Sequence, residues 1–262
     1  MTFQPFVPTG GLAGWRFLQK TIETQRTAHA DNAQLRRNLE YFRNNIGRIE
    51  TAEQLVGDFR LLSVALDAFG LGDDLNSKFF IRKVLEEGTL DEGALSNRLS
   101  DKRYRDLSRA FGFGDFATPS TRLSGFADRI AKRYTERRFE ADVGAANETM
   151  RLALNAQREF PALGSESSSN RTKWFTLMGT PPLRKVVETA LGLPKVFGTL
   201  PVDRQIETFM ERSESVFGTR DLSEIAAPEI LSRVIDRFTL LADANDQSSG
   251  PTSPALVLLR GY

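Results

Sequence analysis

The sequence has no cysteine and a single histidine, His29. The absence of cysteine excludes disulfides, thiolate nucleophiles and thiolate metal sites, and it is compatible with any redox compartment. With one histidine, a two-histidine metal site and an HExxH zinc helix are also excluded. A Ser–His–Asp triad would have to use His29, which lies in a polar run between two alanines. We therefore interpret His29 as a solvated histidine on a helix surface.

Long apolar runs and an excess of one charge are also missing. No apolar run approaches the ~20 residues that a membrane-spanning helix needs, and the first residues show neither a basic leader nor the apolar segment of a signal peptide. The 262 residues hold 35 Lys and Arg against 34 Asp and Glu, so no global field attracts nucleic acid or an anionic membrane. We expect no membrane span and no nucleic-acid partner, and a protein that is cytoplasmic or exported without a cleaved signal.

The alternation of apolar and polar residues that is typical of β-strands is absent except in the last few positions. Apolar residues instead recur every third or fourth position. The pattern is clearest between Thr51 and Gly114. Thr51 and Gln54 have the spacing of a reciprocal capping box. Gly70 and Gly112 suit the left-handed residue that ends a helix. The sequence therefore predicts an all-α protein, with four helices in this stretch.

Other signals in the same stretch predict where its helices begin and end. Thr89 with Glu92 is a second candidate capping box, and Asp101 is a candidate N-cap for the helix that bears Tyr104. Gly88 is expected to close the helix before Thr89. One helix face leading to Gly70 is predicted by apolar residues at steps of four and three: Leu55, Phe59, Leu62, Leu66 and Phe69.

Two long helical patterns flank this stretch, one reaching about Ile49 and one running as a single helix from Thr121 to about Phe160. A helix that long needs a partner along its length, so we expect an antiparallel pair, with other copies of the chain as the alternative partner. The predicted organisation is an N-terminal arm and long helix (1–50), a first helical module (51–115), a long helix packing on the N-terminal helix (116–163), a second helical module (171–243) and a flexible C-terminal tail (244–262).

The two modules of short helices carry a weak internal duplication. Three blocks match in order at nearly constant spacing, which favours a degenerate two-fold repeat, although chance alignment of amphipathic helices would look similar. The matches are Leu61, Val64, Ala68, Gly70 and Leu71 with Leu183, Val186, Ala190, Gly192 and Leu193, then Ile81 with Ile206, and Leu107-Ser108-Arg109 with Leu231-Ser232-Arg233.

The chain ends in an apolar octapeptide, ALVLLRGY (Ala255–Tyr262), after a polar run. Such a segment either docks on the surface of its own chain, which is the more common outcome, or is offered to a partner.

No residue pattern fits a catalytic, cofactor-binding or metal site. A calcium loop starting at Asp74 fails because Leu85 stands where a bidentate glutamate is needed. A basic stripe lies on the second long helix, and acidic residues on the same helix favour a solvated face rather than a phosphate-binding one. The stripe consists of Arg129, Lys132, Arg133, Arg137 and Arg138. We expect a protein that is not an enzyme and that needs no cofactor.

Four segments carry a resemblance to a known family: NLEYFRNNIGRIETAEQLVGDFRLLSVALDAFGL from Asn38, KFFIRKVLEEG from Lys78, LSNRLSDKRYRDLSRAFGFG from Leu95, and WFTLMGTPPLRKVVETALGLP from Trp174. They resemble an uncharacterised bacterial helical family, a domain of unknown function, whose genes often lie among flagellar genes. The resemblance implies a role in flagellar assembly or motility, and it brings no catalytic residue with it.

The leading hypothesis is a non-enzymatic structural or protein-interaction component associated with flagellar assembly or motility. Its partners would be flagellar components or further copies of the chain. The alternative is a cytoplasmic helical adaptor or regulator unrelated to flagella, which would bind its partners through the repeat-like modules.

Overall fold

The computed structural model describes residues 3–249, and every regular element within them is helical, which confirms the predicted all-α class. None of these helices is long and apolar enough to cross a membrane. The α-helices are α1 Gly11–Ala30, α2 Ala33–Asn45, α3 Ala52–Gly57, α4 Phe59–Phe69, α5 Lys78–Glu87, α6 Leu95–Arg98, α7 Arg103–Phe111, α8 Phe126–Ala146, α9 Glu148–Gly164, α10 Asn170–Met178, α11 Pro181–Ala190, α12 Val202–Phe217, α13 Leu222–Ile225 and α14 Pro228–Ser249.

The chain forms two compact units, and the predicted division into five consecutive segments stays a prediction. The first unit holds Glu23–Asp142 together with residues 3–5, and the second holds Phe6–Ile22 and residues 143–249. Each unit therefore combines an early part of the chain with a later part. The predicted first module, 51–115, lies wholly in the first unit, and the predicted second module, 171–243, lies wholly in the second.

The first unit begins its core where the sequence signals are strongest. The Thr51 hydroxyl accepts a hydrogen bond from the Gln54 amide, and the Gln54 side chain accepts one from the Thr51 amide, so the predicted capping box is confirmed. The single helix predicted up to Gly70 is wrong, because Asp58 ends α3 and caps α4 by accepting from the amides of Arg60 and Leu61. This break leaves Phe59 exposed rather than on the buried face.

In the same unit, the end of α1 and all of α2 run antiparallel to α8. Three contacts fix the register: His29 with Asp142, Asn38 with Tyr134, and Arg43 with Asp128. From the first contact to the last, the residue number rises from 29 to 43 along α1 and α2 while the partner's number falls from 142 to 128 along α8. The buried face of α8 contributes Phe126, Ile130 and Tyr134 to the core that α4 fills with leucine, valine and alanine.

The single helix predicted from Thr121 to about Phe160 is wrong. The chain turns at Asn147, where the side chain accepts a hydrogen bond from the Met150 amide and the backbone takes up an extended conformation. Asparagine favours such caps because its short side chain competes for backbone amides. Apolar spacing persists on both sides of the break, which is why periodicity alone did not reveal it.

In the second unit α9, α11 and α14 pack against one another, and α10 packs against α12 through large aromatic side chains. Trp174 stacks on Phe209 with ring centroids 5.7 Å apart, and Phe197 meets Phe209 edge to face. Phe160 and Phe238 are also fully buried. Helices α11 and α14 begin at Pro181 and Pro228, a residue type suited to the first position of a helix. Helix α14 continues to Ser249, so the predicted tail beginning at 244 starts too early, and the octapeptide 255–262 lies outside the described residues.

Candidate functional site

His29 lies inside the first unit, and the predicted solvated position is wrong. Its side chain is 1 % exposed, its Nε2 lies 2.8 Å from Asp142 Oδ2, and its ring meets Phe139 edge to face. The other ring nitrogen, Nδ1, is buried without a hydrogen-bond partner among the described residues. The sequence could not show this burial because Asp142 is 113 positions away along the chain.

The pKa values of two neighbouring carboxylates, Asp142 and Asp67, are shifted in opposite directions. The hydrogen bond with His29 lowers the pKa of Asp142, and Arg138 at 3.3 Å adds to this against the effect of burial. Burial raises the pKa of Asp67, and Arg138 at 4.0 Å offsets only part of that rise. Arg138 therefore connects a well-stabilised carboxylate with a poorly stabilised one.

A histidine next to an aspartate can act as a general base only if it reaches a substrate proton. The partner-free nitrogen of His29 is sealed from solvent by the surrounding side chains. The His29–Asp142 pair therefore holds α1 against α8, and this ring nitrogen is not accessible to a substrate.

The predicted basic stripe is used for packing within the first unit. The Arg133 guanidinium lies 4.8 Å from the centroid of the Phe69 ring, and that of Arg129 lies 5.9 Å from the centroid of the Phe126 ring. Arg138 contacts Asp142 and Asp67. Arg129, Arg133 and Arg138 therefore make packing and ion-pair contacts within the first unit, and the expected absence of a phosphate-binding role stays a prediction.

The acidic run that fails as a calcium loop has a structural partner instead. The Tyr104 hydroxyl donates a hydrogen bond to Asp74 Oδ2 at 2.7 Å, and burial together with this bond raises the pKa of Tyr104 to about 12. The described residues contain no group of three or more potential metal ligands among His, Asp and Glu.

Two loops of the first unit, 88–90 and 112–116, lie against each other with unusual closeness, and we call them the Asp115 loop pair. A Cβ atom on Gly114 would collide with the Glu86 carbonyl and the Gly88 amide. Gly88 itself has a positive φ of 70° and ends α5, as predicted. Glycine permits the positive φ at position 88, and the absence of a Cβ at position 114 permits the two backbones to approach this closely.

Asp115 fastens the two loops together with its carboxylate. Oδ1 accepts from the amides of Thr89 at 2.5 Å and Leu90 at 3.1 Å, and Oδ2 accepts from the Thr89 hydroxyl at 2.9 Å. The Gly88 carbonyl accepts from the buried Ser96 hydroxyl at 2.6 Å. The predicted capping box at Thr89 is wrong, because the Thr89 hydroxyl is committed to Asp115 and the next helix begins at Leu95.

The Asp115 loop pair presents two large apolar side chains to solvent. Leu90 is 72 % exposed and Phe116 is 58 % exposed. Isolated exposed apolar residues are normal on protein surfaces. Here both belong to backbone that is fixed by charge-assisted hydrogen bonds and by a glycine contact. A rigid segment with apolar anchors loses little conformational entropy on binding, so it is well suited to contact another protein.

The sequence held a partial signal for this surface. Gly88 and Gly112 are predicted to end helices, and Gly114 closes the stretch of helical pattern. Asp115 follows Gly114 directly. What the sequence could not indicate is the pairing, because Asp115 and Thr89 are 26 positions apart. No helical pattern passes through either loop.

Comparison with known proteins gives a fold and a family but no activity. Residues 68–231 match the family described as "Protein of unknown function (DUF1217)". The crystal structure of protein AGR_C_984 from Agrobacterium tumefaciens is similar to this chain, with 25% sequence identity, a TM-score of 0.72, and coverage of 93% of this chain and 99% of that one. No curated protein matches the sequence.

Proposed function

This chain belongs to the DUF1217 family of proteins of unknown function, and we propose that it is a non-enzymatic protein-interaction component associated with bacterial flagellar assembly or motility. The flagellar part of the proposal is supported by the sequence resemblance described above. The interaction part is supported by one structural observation, the Asp115 loop pair with its exposed Leu90 and Phe116.

The charges beside the loop pair indicate the chemistry of the partner. Asp91 and Glu92 follow Leu90 directly and are exposed. A complementary segment would place apolar side chains on Leu90 and Phe116 and basic side chains beside Asp91 and Glu92. The partner we propose is therefore a flagellar protein with an apolar segment flanked by lysine or arginine.

Capture from cells that carry the gene tests the surface. The doubly substituted Leu90→Asp/Phe116→Ser chain is compared with the unchanged chain and with Leu240→Asp, in which a side chain of similar exposure, 56 %, is altered in the second unit. Bound proteins are cross-linked and identified by mass spectrometry. We expect a flagellar protein that is lost with the double variant and retained with Leu240→Asp.

Other outcomes separate the alternatives. A partner that is lost with the double variant but has no flagellar role would favour the helical adaptor. Capture that is the same for all three chains would remove the loop pair from the account. Deletion of the gene tests the flagellar part separately, because it should impair swimming or filament assembly.

A further inference from the structure

A cavity of about 350 Å³ lies within the second unit, between the early part of α1, the later part of α9 and the beginning of α14. We call it the Trp15 cavity, after the tryptophan in its wall. A cavity of about 150 Å³ is enough for one benzene molecule, so this one has room for a small molecule with two fused rings.

The Trp15 cavity has a rigid apolar wall. Trp15, Leu231 and Ile235 line it and belong to the core, since each is no more than 5 % exposed. Pro161 and Pro228 add two rings with very little conformational freedom. A wall of packed side chains and proline rings keeps its shape, so little conformational entropy is lost when a ligand binds against it.

Two polar contacts hold the three helices together around the cavity. Arg16 Nη2 donates a hydrogen bond to Asp236 Oδ2 at 2.5 Å, which links α1 to α14. The side-chain amides of Gln19 and Gln157 exchange hydrogen bonds at 3.3 and 3.2 Å, which links α1 to α9. All four residues line the cavity, so these contacts help to set its width.

Asp236 determines the polarity of a complementary ligand. Its Oδ1 is buried and has no hydrogen-bond partner among the described residues. A buried acceptor without a donor is costly, so a ligand that donates an N–H or O–H group to this atom is favoured. The ligand needs no charge, because Arg16 would repel a cation and Asp236 would repel an anion.

Trp15 favours an aromatic ligand over an aliphatic one. Contact between two aromatic rings contributes beyond the apolar area that it buries. A flexible aliphatic chain of the same size would also lose conformational entropy on binding, whereas a planar ring has none of this kind to lose.

We infer that the Trp15 cavity binds one small, uncharged aromatic molecule that carries an N–H or O–H group. The ring lies against Trp15, Leu231 and Ile235, and the donor bonds to Asp236 Oδ1. Indole combines a bicyclic ring with one donor and is a suitable probe, with an expected Kd below about 1 mM. This inference is independent of the Asp115 loop pair, which lies in the first unit.

Two probes that differ only at the donor test the inference on the full chain. In 1-methylindole a methyl group replaces the N–H hydrogen, so the ring is kept and the donor is lost. Isothermal titration calorimetry should give an affinity at least about tenfold higher for indole, because 1-methylindole leaves Asp236 Oδ1 without a donor. Equal affinities for the two probes, or no binding of indole at millimolar concentration, would overturn the inference.

The two tryptophans of the chain report where the probe binds. In nuclear magnetic resonance spectra of isotope-labelled protein, the indole N–H signal of Trp15 should shift when unlabelled indole is added. The signal of Trp174, whose ring stacks on Phe209, should stay in place. A shift of the Trp174 signal alone would place the probe outside the Trp15 cavity and would overturn the inference.

A substitution that fills the cavity gives a further test. Ser232 lines the cavity and is exposed, so Ser232→Phe adds a ring there without disturbing a core side chain, and it should weaken indole binding at least about tenfold. Leu240→Phe is the matched control, because Leu240 is an exposed residue of the same helix that does not line the cavity. Undiminished binding to Ser232→Phe, at unchanged circular dichroism, would overturn the inference.

Removal of the acceptor tests the role of Asp236 separately from the shape of the cavity. Asp236→Ala should bring the affinities for indole and 1-methylindole within about twofold of each other. Asp128→Ala removes a carboxylate that also pairs with an arginine, Arg43, but lies in the first unit, so it should keep the preference for indole. A preference for indole that survives Asp236→Ala would contradict the inferred hydrogen bond.

Discussion

The ends of α4 in the first unit and α11 in the second share one local structure but differ in their surroundings. In both, a glycine with positive φ follows the helix, Gly70 at 71° and Gly192 at 65°. The amides of Leu71 and Leu193 each bond to a carbonyl five residues back, at 2.9 Å. This is the Schellman arrangement that the matched glycine–leucine pairs predict.

Arginine side chains donate hydrogen bonds to the last carbonyls of both helices, and these arginines differ in their carboxylate partners. In the first unit the Gly70 carbonyl accepts from Arg103 Nη1, and Asp101 holds the same guanidinium at 2.6 Å. In the second unit the Ala190 carbonyl accepts from Arg237 Nε at 2.6 Å and the Leu191 carbonyl from Arg212 Nη2 at 3.2 Å. Neither of these two arginines has a carboxylate partner among the side chains of residues 3–244 that the structure describes.

Arg103 does not match Arg212 or Arg237 at the spacing of the duplication. The matched residues therefore reproduce the glycine stop, which is a local structure, whereas the requirement for positive charge at the carbonyl end of a helix is met by unmatched residues. The two-fold repeat remains a prediction. The order of the matched helices, and the contact of α7 with α4 and of α14 with α11, are in accord with it.

The largest expected effect on the free energy of unfolding concerns a third helix end, that of α9 in the second unit. Lys173 is 6 % exposed, and its Nζ donates to the Gly164 carbonyl at 2.7 Å and to the Ser223 hydroxyl at 2.8 Å. Lys173→Ala should lower the free energy of unfolding by about 3 kcal/mol, because it removes buried methylenes and both hydrogen bonds. Both tryptophans, Trp15 and Trp174, belong to the second unit, so urea unfolding followed by their fluorescence reports on this change.

The exposed Lys185 in the same unit is the control for this substitution. Lys185→Ala should change the free energy of unfolding by less than about 0.5 kcal/mol. If the two alanine variants unfolded at the same urea concentration, the buried ammonium would not be a stabilising cap.

Alanine at the two glycine stops measures how much the surroundings add to the local strain. Gly192→Ala should cost about 1 kcal/mol, because its Cβ meets only open space and the left-handed backbone is the sole penalty. Gly70→Ala should cost more, about 2 kcal/mol, because its Cβ would lie 3.3 Å from Arg137 Nη1. Urea unfolding by far-UV circular dichroism follows both units, and equal costs would mean that Arg137 moves aside freely.

The arginine caps should differ in their dependence on a carboxylate. A double-mutant cycle of Arg103→Met and Asp101→Asn should give a coupling of about 1 kcal/mol, because the guanidinium is held by Asp101 while it caps Gly70. Arg237→Met should lose about 1 kcal/mol at 50 mM and at 500 mM salt alike, because its cap involves a backbone carbonyl. A larger loss at low salt would reveal a carboxylate partner and would remove the contrast between the units.

The smallest effects are the pH dependences of two carboxylates in the first unit. The pKa of Asp142 is lowered below 3.8, so its stabilisation is complete above the unfolded pKa and is lost as the pH falls through the folded pKa. The pKa of Asp67 is raised by burial, so its ionised form destabilises the fold at pH 7, and this penalty disappears as the pH falls through its folded pKa.

Asp142→Asn should therefore lower stability at pH 7, and Asp67→Asn should raise it, each by less than about 1 kcal/mol because both groups are partly solvated. Both differences should shrink towards pH 3. Urea titrations followed by tyrosine fluorescence measure them, since Tyr41, Tyr104 and Tyr134 all lie in the first unit. Shifts of the same sign at pH 7 would contradict the assignment.

The sequence predicted what local contacts determine. The Thr51 capping box and the glycine stops follow from residues within a few positions of one another, and each is confirmed. The breaks at Asp58 and Asn147 escaped because apolar spacing continues across a cap. The burial of His29 and the pairing of Asp115 with Thr89 depend on contacts between distant parts of the chain, to which periodicity is blind.

Swimming of a deletion strain that carries the gene again in altered form tests the proposed function most directly. The account predicts that Leu90→Asp/Phe116→Ser fails to restore swimming at normal protein level and normal circular dichroism, whereas Leu240→Asp restores it, because only the first alters the Asp115 loop pair. Full swimming with the double variant would contradict the account.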